Sequence, residues 1–179
     1  RTSRLIGRYY GSLYRLTPLT ARLDSLISAK LYTNRQRMKT IIYDIETTGL
    51  SFKLHAPHQI TMLVMHDGKS EWYDWKVKPF EDALIDDKAL EVGGITRDML
   101  QGEDYKDEAM VYVEMLKMLG GIVDKYDKTD KFHLIGYNNR GFDDNFLREF
   151  FARRGDKYYG SWFWADTIDV MVLASNHLR

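Results

Sequence analysis

From Lys39 onward the chain alternates short apolar runs with polar punctuation, and each run predicts an element. Thr40–Ile45 is rich in β-branched residues and reads as a first strand. Residues 50–58, with Pro57, form a loop. Gln59–His66 reads as a second strand, Asp67-Gly68 is a strong hairpin signal, and Glu71–Val77 returns as a third. In that third strand Tyr73, Trp75 and Val77 share a mainly apolar face, while Trp72, Asp74 and Lys76 form a mixed one. Residues 78–103 read mostly as loop, with a helical turn after Thr96, whose hydroxyl suits an N-cap. Tyr105–Leu119 sets Ala109, Tyr112, Val113, Leu116 and Leu119 on one helical stripe, with Gly120-Gly121 at its end. Met110, Met115 and Met118 lie beside the stripe and are expected to fill the core. After a charged linker at 124–131, Phe132–Tyr137 reads as a fourth strand. One helix should run from Asp144 to Arg154, closed by Gly155, and a last one from Thr167 to Leu178, with Asp166 as its cap. Strands interleaved with helices predict a layered α/β domain, and the hairpin makes its sheet mixed.

Composition narrows this picture without redirecting it. The 179 residues are 44% hydrophobic and 13% aromatic, which excludes a disordered chain, and no apolar run reaches the ~18 residues of a membrane span. There is no cysteine, so disulfides and thiolate metal sites are excluded; a cytoplasmic location is expected. The formal net charge of zero hides an asymmetry. Residues 1–37 hold eight Lys or Arg against the single acid Asp24, which leaves residues 38–179 with 18 basic and 25 acidic side chains. The basic segment fits four readings: an arm docking on phosphates, an organelle-targeting peptide, the tail of an upstream domain, or non-native sequence before Met38-Lys39. The domain boundary is therefore expected at residues 37/38.

The candidate chemistry starts at the end of the first strand. Asp44 and Glu46 are two apart, so they project from the same face. Carboxylates that close repel one another unless a cation lies between them, and oxygen ligands suit Mg²⁺ or Mn²⁺. A lone Asp-x-Glu is ordinarily a solvated strand end, so a second group must decide. Such a group follows the fourth strand, where Gly136-Tyr137-Asn138-Asn139 leads through Arg140 to Phe142-Asp143-Asp144 at a helix entrance. Strand ends that face helix N-termini are where α/β sheets build sites, and backbone N–H groups there favour anions. Elsewhere His55 and His58 with Asp67 offer a weaker metal candidate, since loop histidines at that spacing are usually solvated. The Trp72/Trp75 and Trp162/Trp164 pairs are able to stack unpaired bases, although packing is the commoner role of such aromatics.

Asp44-Ile45-Glu46-Thr47-Thr48-Gly49 resembles the first exonuclease motif of the DnaQ-like 3′–5′ exonucleases, named DEDD for their four acids. Asn138 followed by Phe142-Asp143 resembles the second motif, and Gly94-Ile95-Thr96 the short segment between them. The Gly136–Asn139, Phe142–Asp144, Tyr158–Trp164 and Asp169-Val170-Met171 stretches are similar to the bacterial exonuclease I branch in particular. The resemblance covers Lys39–Leu178 and implies a ribonuclease H-like mixed sheet flanked by helices. It implies two divalent ions, Mg²⁺ or Mn²⁺, held by Asp44, Glu46 and Asp143, and phosphodiester hydrolysis at the 3′ end of single-stranded DNA. Thr47, Thr48, Ile95 and Thr96 are then expected to hold the terminal nucleotide, and Asn138 and Arg140 to contact phosphate or ribose. A role in DNA repair or replication goes with that reading. The third motif, a His or Tyr with the fourth acid, is expected beyond the last helix, so the fold is expected to be C-terminally incomplete and the 179 residues alone weakly active or inactive. A non-catalytic nucleic-acid-binding or scaffold module, and an RNA-trimming or proofreading exonuclease, are the alternatives.

Overall fold

The structure, a computed structural model, describes residues 38–177, so the four readings of the basic segment lie outside the described residues. Five strands form one sheet in the order β3-β2-β1-β4-β5. They are β1 (Thr40–Thr47), β2 (Pro57–His66), β3 (Lys69–Lys76), β4 (His133–Gly136) and β5 (Ile168–Asp169). β1 to β3 form an antiparallel meander, whereas β4 and β5 add parallel to β1. The β2–β3 hairpin turns on Asp67 and Gly68 with φ of 49° and 73°, the left-handed pair that a two-residue loop needs.

Helices α1 (Asp87–Val92), α2 (Glu108–Gly120), α3 (Asp143–Arg153), α4 (Tyr159–Trp162) and α5 (Val170–His177) complete the fold. The main core joins Ile41, Tyr43 and Ile45 of β1 to apolar residues of β2 and β3, and to Phe146, Leu147, Phe150 and Phe151 of α3. Burial alternates along β1, so Ile42, Asp44 and Glu46 face the opposite, exposed side. There the register lines up Trp72, Leu63, Ile42, Ile135 and Ile168 in one apolar row across all five strands, with Asp44 one step beyond it on β1.

Several expectations change. The 78–103 segment contains α1, capped by Asp86, whose carboxylate accepts the Lys88 N–H at 2.9 Å. The expected last helix is split: Ile168 and Asp169 form an edge strand, and Asp169 caps α5 by accepting the Met171 N–H at 3.0 Å. Asp166 is exposed before that strand and caps nothing. α2 is rotated from the expected stripe. It buries Glu108, Val111, Met115, Met118 and Leu119, whereas Val113 and Met110 are exposed. Arg153 explains the buried acid, since its Nε donates to Glu108 Oε1 at 3.1 Å.

Candidate active site

β1 runs beside β4 only from Thr40 to Ile42, while its antiparallel pairing with β2 continues to Thr47. Beyond Ile42 the side of β1 facing β4 therefore has backbone groups with no strand partner. The first turn of α3 fills that gap, and the Ile45 N–H donates to Asp143 Oδ1 at 3.0 Å. This contact joins positions 98 apart in sequence, and it brings Asp143 beside the strand that carries Asp44 and Glu46. Among the described residues the Ile45 N–H is the one hydrogen bond from another residue that the Asp143 carboxylate accepts, and it falls on Oδ1.

The electrostatics match the geometry. Burial, then the negative charge of Asp44, pushes the Asp143 carboxyl up to about 6, against the opposing Ile45 N–H. A cation would relieve that repulsion, and an all-oxygen set of two exposed carboxylates and one buried one suits a hard divalent ion. The residues fit such an ion in type, as oxygen donors. Among the described residues no three His, Asp or Glu side chains already converge into a cage.

Asp144 turns the other way. Its Oδ1 accepts the hydroxyl of buried Tyr43 and its Oδ2 accepts Thr167 Oγ1 at 2.8 Å. Burial, then bonding to this carboxylate, raises the Tyr43 phenol well above its ordinary value. Asp144 therefore binds other elements with its carboxylate and does not cap its own helix. The backbone carbonyl of Asn139 serves the helix start instead, accepting the Asp144 N–H at 2.9 Å and the Phe142 N–H at 3.2 Å.

The two amides after β4 divide the turn between them. Asn138 is exposed with φ of 57°, and its N–H donates to Asp169 Oδ1 at 2.9 Å. Asn139 is fully buried, its side-chain amide unpaired, and its Cβ lies 2.7 Å from where a Cβ on Gly136 would fall. Arg140 lays Nε and Nη2 on the Thr167 carbonyl at 3.0 and 2.7 Å, which fixes its guanidinium next to the carboxylate turn.

The threonines of the first motif build their own turn. Thr47 Oγ1 donates to the Gly49 carbonyl at 2.8 Å. Thr48 is fully buried; its hydroxyl donates to the Leu84 carbonyl at 2.8 Å and accepts the Ala56 N–H at 3.0 Å. The Thr48 carbonyl also accepts the Asp86 N–H at 2.8 Å, which ties the α1 segment to this turn. Ile95 and Thr96 lie with Leu90, Gly94 and Arg97 around a cavity of about 410 Å³ behind α1.

The histidine alternative dissolves. The His55 ring packs on Gly49, and its Nδ1 accepts the Ser51 N–H at 3.2 Å. His58 is buried in β2, where burial lowers its pKa, and Asp67 approaches His66 instead. Of the tryptophans, Trp75 and Trp162 are core residues, Trp164 stacks on His133, and Trp72 is 71% exposed. Tyr43, Asp144, Thr167 and Asp169 join the site's surroundings beyond the expected residues; the Asp143-Asp144 doublet and the Asp169-Val170-Met171 stretch are the sequence signals that point towards them.

Known structures share this fold. Apo exonuclease I superposes with a TM-score of 0.61 at 23% identity, over 78% of this chain and 30% of that chain. E. coli exonuclease I with a dT13 oligonucleotide gives 0.62 at 22% identity, over 79% and 30%. The zinc-bound E. coli exonuclease I–ssDNA complex gives 0.62 at 23%, again over 79% and 30%. The chain spans about 30% of the length of these neighbours, and at such identities the likeness establishes the ribonuclease H-like α/β fold. No curated protein sequence matches the chain. The exonuclease model of the RNase T family matches residues 41–177, from within β1 to the end of α5, and so takes in Asp44, Glu46 and Asp143 together. With most of its length inside that match, this chain belongs to the RNase T exonuclease family.

Proposed function

We propose that the chain is the catalytic region of a metal-dependent 3′–5′ exonuclease acting on single-stranded DNA. The observation that carries this reading is the approach of Asp143 to the strand bearing Asp44 and Glu46 through the Ile45 N–H. Asp44, Glu46 and Asp143 are the residues to hold two Mg²⁺ or Mn²⁺ ions. When bound, such ions neutralise charge on the scissile phosphate and lower the pKa of an attacking water. Asp143 takes part through its carboxylate, and its burial keeps bulk water from screening the charges around it.

The substrate contacts follow from what each side chain has left to offer. Arg140, braced on the Thr167 carbonyl, presents the remainder of its guanidinium to a phosphate. Exposed Asn138 supplies an amide to the ribose or phosphate. Because the Thr47 and Thr48 hydroxyls hold the turn, these two residues act through their backbone and by shaping the wall. Ile95 and Thr96 receive the terminal base.

The test uses single-stranded oligonucleotides labelled at the 3′ or the 5′ end, with the full-length protein and Mg²⁺. The expected result is early release of the 3′ label as a mononucleotide, abolished by EDTA and by Asp44→Ala. Release starting at the 5′ end, or equal turnover by Asp44→Ala, would refute the assignment. Strand binding with no hydrolysis by the full-length protein would favour the non-catalytic module, and faster trimming of RNA would move the substrate class.

A further inference from the structure

Asp143 and Asp144 are consecutive in the first turn of α3, yet they hold β1 at two different points. Asp143 takes the Ile45 N–H, and Asp144 takes the Tyr43 hydroxyl on the core side of the strand. The residue between Tyr43 and Ile45 is Asp44. The two acids of one helix turn thus grip the neighbours on either side of the residue that must face Asp143. A third arm comes from Thr167, whose hydroxyl donates to the second oxygen of Asp144 at 2.8 Å. The Thr167 carbonyl in turn carries the Arg140 guanidinium. Tyr43, Asp144 and Thr167 are all buried, so water does not replace a lost partner cheaply.

We propose that Tyr43, Asp144 and Thr167 are positioning residues, a buried brace that fixes the separation of Asp44 and Asp143 and the placement of Arg140. None of the three touches the reacting atoms. The inference rests on the metal-site reading above. Its physical basis is that a ligand on a strand and a ligand on a helix keep a constant spacing only when the two elements are pinned near both. Core packing of Phe146, Leu147, Phe150 and Phe151 seats α3 on the sheet, and the Asp143–Ile45 and Tyr43–Asp144 bonds pin its first turn to β1 at two points. Groups that orient metal ligands typically account for 10- to 100-fold in affinity or activity when replaced.

Mn²⁺ titration of the folded full-length protein, followed by electron paramagnetic resonance, tests this with Mn²⁺ alone as the probe. Asp144→Asn and Tyr43→Phe should each weaken Mn²⁺ binding about 10-fold, and the double variant should be little worse than either single one. Thr167→Val, which keeps the shape of the side chain, should weaken binding less, and Thr167→Ser should restore it. The strand KM should stay near wild type for Tyr43→Phe, which leaves the Asp144–Thr167 and Thr167–Arg140 contacts in place, while kcat falls. A purely architectural network would instead lower the melting temperature and leave the Mn²⁺ affinity of the folded protein unchanged. That pattern, in a wild type that binds Mn²⁺, overturns the brace but leaves the exonuclease reading intact. A wild type with no Mn²⁺ affinity, indistinguishable from Asp44→Ala, removes both. Should Asp144→Asn fail to fold, the Thr167→Val and Thr167→Ser pair decides, because equal Mn²⁺ affinity in the two overturns the proposal.

Discussion

Removing the Thr48 hydroxyl separates a structural role for the first motif from a substrate-binding one. Thr48→Val preserves volume and branching, so the change is confined to two hydrogen bonds, those with the Leu84 carbonyl and the Ala56 N–H. The two losses are unequal. Leu84 is 53% exposed, and water is able to take over its carbonyl, whereas Ala56 is buried and its N–H loses its acceptor. A buried donor left unpaired costs about 1–3 kcal/mol, so a loss of about 2 kcal/mol is expected. For a chain of this size 1 kcal/mol corresponds to about 2–4 °C, which gives a fall of about 4–8 °C in melting temperature. Thermal unfolding followed by circular dichroism reads this directly. Thr48→Ser keeps both bonds and loses one methyl, at about 0.8 kcal/mol, so its fall should be smaller. A Thr48→Val protein that melts with wild type but binds the 3′ end less tightly would contradict the structural role and make the hydroxyl a substrate contact.

Three further changes probe the rest of the frame. A methyl group on Gly136 would meet Asn139 Cβ at 2.7 Å and the Tyr43 carbonyl at 3.2 Å, so Gly136→Ala should cost about 1–3 kcal/mol in denaturant unfolding. On α2, Met115→Ala should cost about 2–5 kcal/mol, while Val113→Glu, at an exposed position, should stay within about 0.5 kcal/mol. His58 is held neutral by burial, so its folded pKa is below the unfolded value of about 6.5. The unfolded chain then binds the extra proton first as pH falls, so this contribution to stability is complete above about pH 6.5 and is lost below it, down to the folded value. The slope of stability against pH just below about 6.5 should flatten in His58→Leu, and an unchanged slope would remove His58 as its source.

What the sequence made legible divides along physical lines. β1 was readable because alternation and a β-branched run act locally, and the same alternation set Asp44 and Glu46 on one face. β5 was not readable, because two residues carry no periodicity and Ile168-Asp169 is a strand only through its pairing with Ile135 and Gly136. α1, at six residues, is likewise too short for a hydrophobic stripe. The buried face of α2 departs from the apolar stripe because it takes in Glu108, whose burial is tolerable only with the distant Arg153 and Arg154 beside it at 3.1 and 3.5 Å. Asn138 and Asn139 could not be told apart from sequence, since the left-handed turn at Asn138 decides which amide enters the core. Tyr43 read as one more core residue within an apolar run. Its hydroxyl acquires meaning only when Asp144, from about a hundred residues away, arrives beside it.

The central claim is that acids from β1 and α3 share one electrostatic site, and the ionisation of Asp143 tests it most directly. Carbon-13 NMR of the Asp143 carboxyl in the metal-free protein should give a pKa of about 6. Asp44→Asn removes a repelling charge, favours the ionised form of Asp143 and should move that value down, with burial keeping it above the ordinary range near 3.9. Mg²⁺ added to the wild type should lower it as well. An Asp143 carboxyl that titrates near 3.9 in the metal-free wild type, or that ignores the loss of Asp44, would contradict the account.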